Sequence, residues 1–211
     1  MVKVVVFDLY GTIVEQGLEN SPSKQVKKIL GVEESFQEFI TTFQQDFMTL
    51  RHNSLEDAFR LVAEDFGIEA DQETFDELVG VWNKNALLSH LYTDTEEVLE
   101  EVKETHTIIL AANVSEFTYE QLEIKFGLKD LFDDTYLSFE TGRLKTSKEN
   151  LDTILNDHDV TKDEVLYIGD SLKSDIYPCK EYGIDSLLID RRETRDFEPK
   201  IITLEDVQLF L

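Results

Sequence analysis

Lys3-Val-Val-Val-Phe-Asp-Leu-Tyr-Gly-Thr-Ile-Val14 is the most informative segment of the sequence. Its residues Val4 to Phe7 are all β-branched or aromatic, and so continuous an apolar run predicts a strand buried on both faces, as in a parallel sheet. The run ends at Asp8, and Gly11-Thr12 then indicates a turn. Because ligands of open α/β sheets bind beyond the carboxyl ends of the strands, Asp8 is a candidate functional residue. The alternative, that Asp8 only ends the strand or caps a helix, remains open at this point.

Residues 16–88 carry a helical pattern of apolar side chains. Phe36, Phe39, Phe43 and Phe47, for example, recur at intervals of three or four residues, which places them on one face of a helix. No segment of this block is typical of a strand. We therefore predict a helical insertion over residues 16–88, whose aromatic residues pack in a core rather than around a cofactor.

From Thr95 onward, apolar strands alternate with helical segments. The expected strands are Thr107–Ala112, Tyr136–Ser138, Val165–Ile168 and Ser186–Ile189. Strands that alternate with helices predict right-handed β-α-β units and hence a parallel sheet. The predicted fold class is therefore α/β, with a core formed by residues 1–15 and 89–211.

Oxygen-bearing side chains follow three of these strands, namely Asp8, Asn113 and Asp170. The carboxyl ends of parallel strands lie at one edge of a sheet, so side chains far apart in sequence can converge there. Asp175 follows five residues after Asp170, and clustered carboxylates raise one another's pKa unless a cation neutralises them. Such oxygen ligands suit Mg²⁺. A turn or helix cap at Asp170, and a simple turn at Asn113, remain open alternatives.

The charge balance limits the possible partners. The 211 residues include 45 acidic and 20 basic ones, a formal net charge of −25, which disfavours nucleic-acid binding because that requires basic patches. The acidity fits either a salt-rich cytoplasm or an ordinary acidic protein. The sequence contains no run of roughly 18 apolar residues, so no membrane span is predicted. Its single cysteine, Cys179, excludes an internal disulfide and a cysteine zinc cluster. We expect a cytoplasmic protein that acts on a small molecule and binds neither nucleic acid nor a membrane. The sequence does not indicate the oligomeric state.

Four ordered motifs resemble those of the haloacid dehalogenase superfamily of hydrolases. They are Phe7-Asp-Leu-Tyr-Gly-Thr12, Leu110-Ala-Ala-Asn113, Lys145 and Gly169-Asp-Ser-Leu-Lys-Ser-Asp175. The resemblance spans nearly the whole chain, and the block of residues 16–88 falls where that family inserts a helical cap. It implies a Rossmann-like core with the first strand at its centre, and a mechanism in which an aspartate attacks the substrate.

Carried over to this sequence, the resemblance implies a catalytic pair and a metal site. Asp8 resembles the nucleophile, which would form an aspartyl-phosphate or an aspartyl ester, and Lys145 resembles the lysine that neutralises it. Asp170 resembles a Mg²⁺ ligand and Asp175 its supporting acid, while Asp8 and the backbone carbonyl of Tyr10 would complete the protein part of the metal shell. Covalent catalysis of this kind divides one difficult step into two easier ones.

Three further residues are implied to contact the substrate or to support its binding loop: Thr12, Ala112 and Asn113. Ala112 departs from the family, which normally has Ser or Thr there, so one hydroxyl donor is missing, although backbone N–H groups could still bind an oxyanion. Tyr10 also departs, because phosphatases of the family usually carry a second aspartate at this position. A tyrosine with an ordinary pKa near 10 is a poor base at neutral pH, and losing acid–base assistance costs on the order of 10²–10⁴ in rate.

Tyr10 has a positive interpretation as well, since Asp-x-Tyr-Gly-Thr is similar to the first motif of the L-2-haloacid dehalogenases, which displace halide without a metal. Their fourth motif is similar to Ser-x-Asn-x-x-Asp, whereas this chain has Asp170 and Leu172 at the Ser and Asn positions. We therefore expect a Mg²⁺-dependent phosphatase with a small, anionic, phosphorylated metabolite as substrate. An L-2-haloacid dehalogenase and a catalytically weakened, ligand-binding member are the alternatives. The helical pattern does not show which of the following residues face the site: Arg51, His52, His90 and Tyr92.

Overall fold

Eight strands form two sheets in the structure, a computed structural model that describes residues 1–211. The strands are β1 Val4–Phe7, β2 Val14–Glu15, β3 His90–Leu91, β4 Thr107–Ala112, β5 Asp134–Leu137, β6 Val165–Gly169, β7 Asp185–Ile189 and β8 Lys200–Ile201. Six of them form one sheet in the order β5-β4-β1-β6-β7-β8, and every neighbouring pair is parallel. The predicted α/β fold with a Rossmann-like parallel core is therefore confirmed.

β1 lies in the middle of this sheet, between β4 and β6. Its side chains alternate between the two faces: Val5 and Phe7 belong to a core of 25 buried residues on one face, and Val4 and Val6 to a core of 11 on the other. Burying a Val or Phe side chain contributes about 1.5–3 kcal/mol. The continuous apolar run thus fixes β1 in the interior and brings Asp8, at its end, to the edge of the sheet.

The chain forms ten α-helices. They are α1 Pro22–Leu30, α2 Phe36–Phe43, α3 Leu55–Asp65, α4 Gln72–Leu88, α5 Thr95–Lys103, α6 Glu116–Phe126, α7 Leu128–Leu131, α8 Ser138–Thr141, α9 Lys148–Asp157 and α10 Tyr177–Tyr182. Ser115 and Ser147 cap the starts of α6 and α9 by accepting a backbone N–H, as serine commonly does at this position. The longest helix, α4, has 17 residues, and none has the length and apolar character needed to cross a bilayer.

Helices α1 to α4, with the π-helical turn Gln44–Met48 between α2 and α3, form a helical block with its own core. Fourteen buried residues make up this cluster. Phe47 lies at its centre, with ring centroids 4.8 Å from Phe43 and 4.7 Å from Trp82, distances typical of favourable aromatic pairs. The chain enters the block after β2 and leaves it before β3, and these two strands pair antiparallel. The domain division, with a core of residues 1–15 and 89–211 and a cap of residues 16–88, stays a prediction.

Several short elements were not expected from the sequence, among them three strands and a π-helical turn. β2, β3 and β8 have two residues each, which is too short for an alternating pattern to be recognised. The π-helical turn Gln44–Met48 follows α2 directly, although the spacing of three and four residues continues through Phe47.

We predict that KCl stabilises the protein. Acidic residues outnumber basic ones by 45 to 20, so surface carboxylates repel one another, and raising the salt from about 0.1 to about 1 M shortens the Debye length from about 10 to about 3 Å. The Tm should rise, by roughly 2–4 °C for each kcal/mol of repulsion that is screened. Thermal unfolding followed by circular dichroism measures this, with a sucrose series as the uncharged control. A Tm that is unchanged or lower in KCl would contradict the prediction.

Candidate active site

The carboxyl ends of β1, β4 and β6 meet at one edge of the sheet, as their parallel order requires. Asp8 follows β1, and its N–H still donates to the Ile168 carbonyl of β6 at 2.9 Å, which fixes the start of its loop. Carboxylate oxygens of Asp8, Asp170 and Asp175 lie within 4.8 Å of one another. The structure therefore brings these residues, which are far apart in sequence, into one carboxylate cluster.

Lys145 lies between two of these carboxylates. Its Nζ contacts Oδ1 of Asp8 and lies 2.6 Å from Oδ1 of Asp175, and all three side chains are buried. Its backbone N–H donates to Asn113 Oδ1 at 2.8 Å, and its carbonyl accepts from Asn150 Nδ2 at 2.9 Å. Burial lowers the pKa of Lys145, but the charges of Asp175 and Asp8 outweigh burial, and the net shift is upward. Lys145 is therefore a charged ammonium group at neutral pH.

Asp175 is the most enclosed member of the cluster. Its Oδ2 accepts the Ser171 N–H at 3.0 Å, and Gly169 makes room for it, because a Cβ at that position would lie 2.4 Å from the Asp175 Cγ. Burial raises the pKa of Asp175 to about 7, although Lys145 opposes the shift. Asp170 is partly exposed, and burial followed by the charge of Asp8 raises its pKa to about 6. The two raised pKa values reflect burial first and the neighbouring carboxylates second.

The oxygen atoms of the cluster fit a divalent cation. Three carboxylates face one ammonium group, and the Asp170 side chain has no ion pair within 4.0 Å. The Tyr10 carbonyl accepts no backbone hydrogen bond. Gly11, with φ +84°, lets this loop approach Asp170, since a Cβ there would lie 2.4 Å from Asp170 Oδ2. Asp8 and Asp170 are hard oxygen donors of the kind that Mg²⁺ prefers, and the Tyr10 carbonyl as a further ligand stays a prediction.

A cavity of about 170 Å³ opens onto the cluster between the strand ends and the helical block. Its walls include Tyr10, Asn113 and Thr118 from the core side and Ile40, Gln44 and Trp82 from the helical block. Thr12 and Ala112 do not line it: Thr12 is buried in the turn after Asp8, and Ala112 pairs with Leu137 inside the sheet. Contact of these two side chains with a substrate therefore stays a prediction, whereas Asn113 does line the cavity.

The residues whose orientation the sequence left open lie away from this cavity. A neighbouring cleft of about 370 Å³ borders Asp170 as well, and Tyr92 lines it. Arg51, His52 and His90 line neither the cavity nor this cleft. We call it the arginine cleft because three arginines line it: Arg191, Arg192 and Arg195.

A sequence profile of the family described as haloacid dehalogenase-like hydrolase matches residues 2–183. The chain belongs to this family. The suggested resemblance is therefore confirmed, and the chain is a hydrolase of the haloacid dehalogenase-like kind. No curated protein matches its sequence.

Solved structures of haloacid dehalogenase-like hydrolases share the fold over the whole chain. A phosphatase of this family from Thermococcus onnurineus is 20% identical with a TM-score of 0.64, and 99% of this chain and 97% of that one are covered. The hydrolase YfnB from Bacillus subtilis, bound to magnesium, is 20% identical with a TM-score of 0.69 and coverages of 100% and 98%. The L-2-haloacid dehalogenase from Xanthobacter autotrophicus, with chloropropionic acid covalently bound, is 16% identical with a TM-score of 0.64 and coverages of 100% and 98%. At these identities the likeness shows the fold alone.

Tyr10 of this haloacid dehalogenase-like hydrolase faces the cavity and the end of the helical block. Its hydroxyl lies 3.4 Å from Ser89 Oγ, which follows α4. Burial raises the pKa of Tyr10 above its ordinary value, and hydrogen bonds from Ser89 and Asn85 offset part of the rise. The phenol therefore stays protonated at neutral pH, where it can donate a hydrogen bond but cannot serve as a base.

Arg191 is the main residue that the sequence analysis missed in this hydrolase. Its Nη1 lies 2.5 Å from Asp94 Oδ2, and its Nη2 donates to the Thr12 carbonyl at 2.7 Å. Asp94 Oδ2 also accepts the Leu204 N–H at 2.8 Å, and the guanidinium lies 4.0 Å from the Tyr92 ring centroid. Arg191 thus ties the loop after Asp8 to the segment after β3. Its position two residues beyond β7, at the same sheet edge, is the signal that could have identified it.

We predict that Arg191→Met destabilises the protein by about 3–5 kcal/mol, because it leaves the buried Asp94 carboxylate without its cation. Arg191 is 13% exposed and Asp94 is 7% exposed, so water compensates little. Urea unfolding measures the change. Arg192→Met is the matched control, since Arg192 is exposed and makes no ion pair within 4.0 Å. Equal stabilities of the two variants would show that the Arg191 contacts contribute nothing.

Proposed function

We propose that the protein is a Mg²⁺-dependent phosphatase that cleaves a small phosphorylated metabolite through an aspartyl-phosphate on Asp8. The carboxylate cluster supports this most directly, because Asp8, Asp170 and Asp175 face a single ammonium group. Two negative charges remain without a counter-charge, and a divalent cation would balance them. A cytoplasmic location, expected from the single cysteine, is part of the same proposal.

Asp8 is the proposed nucleophile because it is the carboxylate of the cluster that lines the cavity and contacts Lys145. Asp175 is fully buried and has both oxygens engaged, one by Lys145 and one by the Ser171 N–H. It is therefore suited to hold Lys145 and the loop of Asp170 rather than to react. Lys145 is proposed to orient Asp8 and to neutralise charge that develops on the phosphoryl group.

The proposed reaction has two steps. A carboxylate oxygen of Asp8 attacks phosphorus, the ester P–O bond breaks, and the alcohol leaves with a proton from solvent or from the Tyr10 hydroxyl. Water then attacks phosphorus of the aspartyl-phosphate, which releases inorganic phosphate and restores the Asp8 carboxylate. Mg²⁺ held by Asp8, Asp170 and the Tyr10 carbonyl would offset negative charge and hold a phosphoryl oxygen.

Tyr10 makes the second step the slower one in this proposal. The cavity contains no carboxylate that is free of the cluster and could accept a proton from the attacking water. Tyr10 stands where phosphatases of the family usually carry that acid, and its raised pKa leaves it protonated. The aspartyl-phosphate should therefore form faster than it is hydrolysed.

The alternative activity is 2-haloacid dehalogenation, which is favoured by a tyrosine, Tyr10, two residues after Asp8. The carboxylate of a haloacid would need a cation in the cavity, where Lys145 is the only one and is already paired with Asp8 and Asp175. Asp170 would also repel such a substrate. A binding-only member, suggested by Tyr10 and Ala112, would bind phosphate esters without turnover.

The decisive test is hydrolysis of p-nitrophenyl phosphate with Mg²⁺ and with chelator. We expect Mg²⁺-dependent release that begins with a burst of about one equivalent of p-nitrophenol per enzyme, because the second step is slow. Asp8→Asn should abolish both phases. Halide release from 2-chloropropionate in chelator would instead establish the dehalogenase, and tight ester binding without turnover would establish the binding-only member.

We also predict that the stabilisation by Mg²⁺ grows with pH. The pKa values of Asp170 and Asp175 are raised to about 6 and about 7, above roughly 3.9 in an unfolded chain. The native state then binds more protons than the unfolded state, so these groups destabilise the metal-free protein as pH rises through this range. The Tm gain from Mg²⁺ should be small at pH 5 and larger at pH 8. The Asp170→Asn variant should lose this rise in Tm, and the exposed control Asp196→Asn should keep it. A rise in Tm with Mg²⁺ that does not depend on pH would contradict the prediction.

A further inference from the structure

The cavity above Asp8 contains one cation, and that cation is already neutralised. Lys145 is the only Lys or Arg among its lining residues, and it is paired with Asp8 and Asp175. Apart from Asp8 and Asp170, the polar wall consists of uncharged groups, among them the amides of Gln44 and Asn85 and the hydroxyls of Ser115 and Thr118. A second anionic group on a ligand would therefore find no counter-charge here.

Two cations of the surrounding segments, Arg51 and Lys125, are held by other partners. Arg51 pairs with Glu116 and stacks on the Phe139 ring, 5.0 Å from its centroid. Lys125 donates to the Leu87 carbonyl at 2.8 Å. None of these side chains lines the cavity, so none is available to a ligand without breaking an existing contact.

The cavity wall suits a carbon skeleton that carries hydroxyl groups. Trp82, Met48 and Ile40 supply an apolar surface, against which carbon–hydrogen faces can pack. The Trp82 indole is fixed in place, because its Nε1 donates to Thr118 Oγ1 at 2.8 Å. The Gln44 side chain is partly buried and lines the cavity, and its amide can both donate to and accept from a ligand hydroxyl.

The arginine cleft beside Asp170 does not supply the missing positive charge. Its four basic residues are matched by four acidic ones among the lining residues. The basic residues are Lys24, Arg191, Arg192 and Arg195, and the acidic ones are Glu15, Glu19, Asp170 and Asp190. By residue count the cleft therefore carries no net positive charge.

We propose that the substrate is a phosphate monoester of a neutral, hydroxylated alcohol, a polyol or sugar phosphate, and that Gln44 selects it. This inference rests on the proposed phosphatase function. The phosphoryl group binds at the carboxylate cluster, and the leaving alcohol occupies the cavity against Trp82 and Gln44. An ester whose alcohol carries a carboxylate is rejected, because burying that charge without a partner is unfavourable.

Two matched pairs of esters test the proposal: glycerol 3-phosphate against 3-phosphoglycerate, and glucose 6-phosphate against 6-phosphogluconate. For at least one pair the neutral member should be hydrolysed with a kcat/KM on the order of 100-fold higher. A higher kcat/KM for the carboxylated member in either pair would overturn the proposal, and loss of that preference in Arg192→Gln would assign recognition to the arginine cleft.

Two variants of Gln44 separate charge from hydrogen bonding. Gln44→Arg adds a cation to the wall and should raise kcat/KM for the carboxylated esters by about tenfold, without a gain for the neutral ones. Gln44→Met removes the amide and should lower kcat/KM for the neutral esters. No change of selectivity in Gln44→Arg, once its fold is confirmed by circular dichroism, would overturn the role of Gln44.

A binding measurement keeps the two proposals distinguishable. Calorimetric titration of Asp8→Asn with each ester in the presence of Mg²⁺ should show tighter binding of the neutral member. Equal or tighter binding of the carboxylated member would overturn the substrate class even if the enzyme hydrolyses p-nitrophenyl phosphate. Selective neutral binding without hydrolysis of any ester by the unaltered protein would instead overturn the phosphatase function and retain the ligand class.

Discussion

The charge contacts of one buried ammonium group hold the site together. Lys145 reaches Asp8 at the end of β1 and Asp175 in the π-helical turn Leu172–Ile176. An unpaired ammonium in this position would be strongly unfavourable, and so would either carboxylate without it. The side-chain amides of Asn113 and Asn150 hold the backbone of Lys145 from both sides. Three segments of the core therefore depend on the same contact, and a change in any of them would be transmitted to Asp8.

The backbone arrangement of the site followed from the sequence more directly than its walls did. A buried apolar run that ends in Asp8 requires a central strand, and parallel strands put Asp8, Asn113 and Asp170 at one edge. Lys145 could not be placed this way, because it lies in a loop that has no periodicity. Its assignment came from the resemblance to the haloacid dehalogenase-like hydrolases, and the structure shows which contacts put it there.

The parts that could not be predicted are those set by tertiary contacts. The two-residue strands β2 and β3 form only because they pair with each other where the chain enters and leaves the helical block. Arg191 gains its role from Asp94 and the Thr12 carbonyl, neither of which is near it in sequence. Likewise, helical spacing marked the aromatic residues of the block as buried, but it did not show that Trp82 and Gln44 border the cavity. Side-chain direction within a helix depends on what the helix packs against.

The central place of β1 has a consequence for how the protein folds. Val4 of β1 pairs with Thr107 of β4 and with Val165 of β6, so β1 has no partner in the sheet until synthesis has reached β4. The helical block lies between them in sequence and buries its own 14-residue core through contacts within that block. Contacts that are local in sequence form faster than distant ones. The helical block can thus become ordered before β1 has a strand partner. During synthesis Val4–Phe7 is then an exposed apolar segment that can associate with other chains.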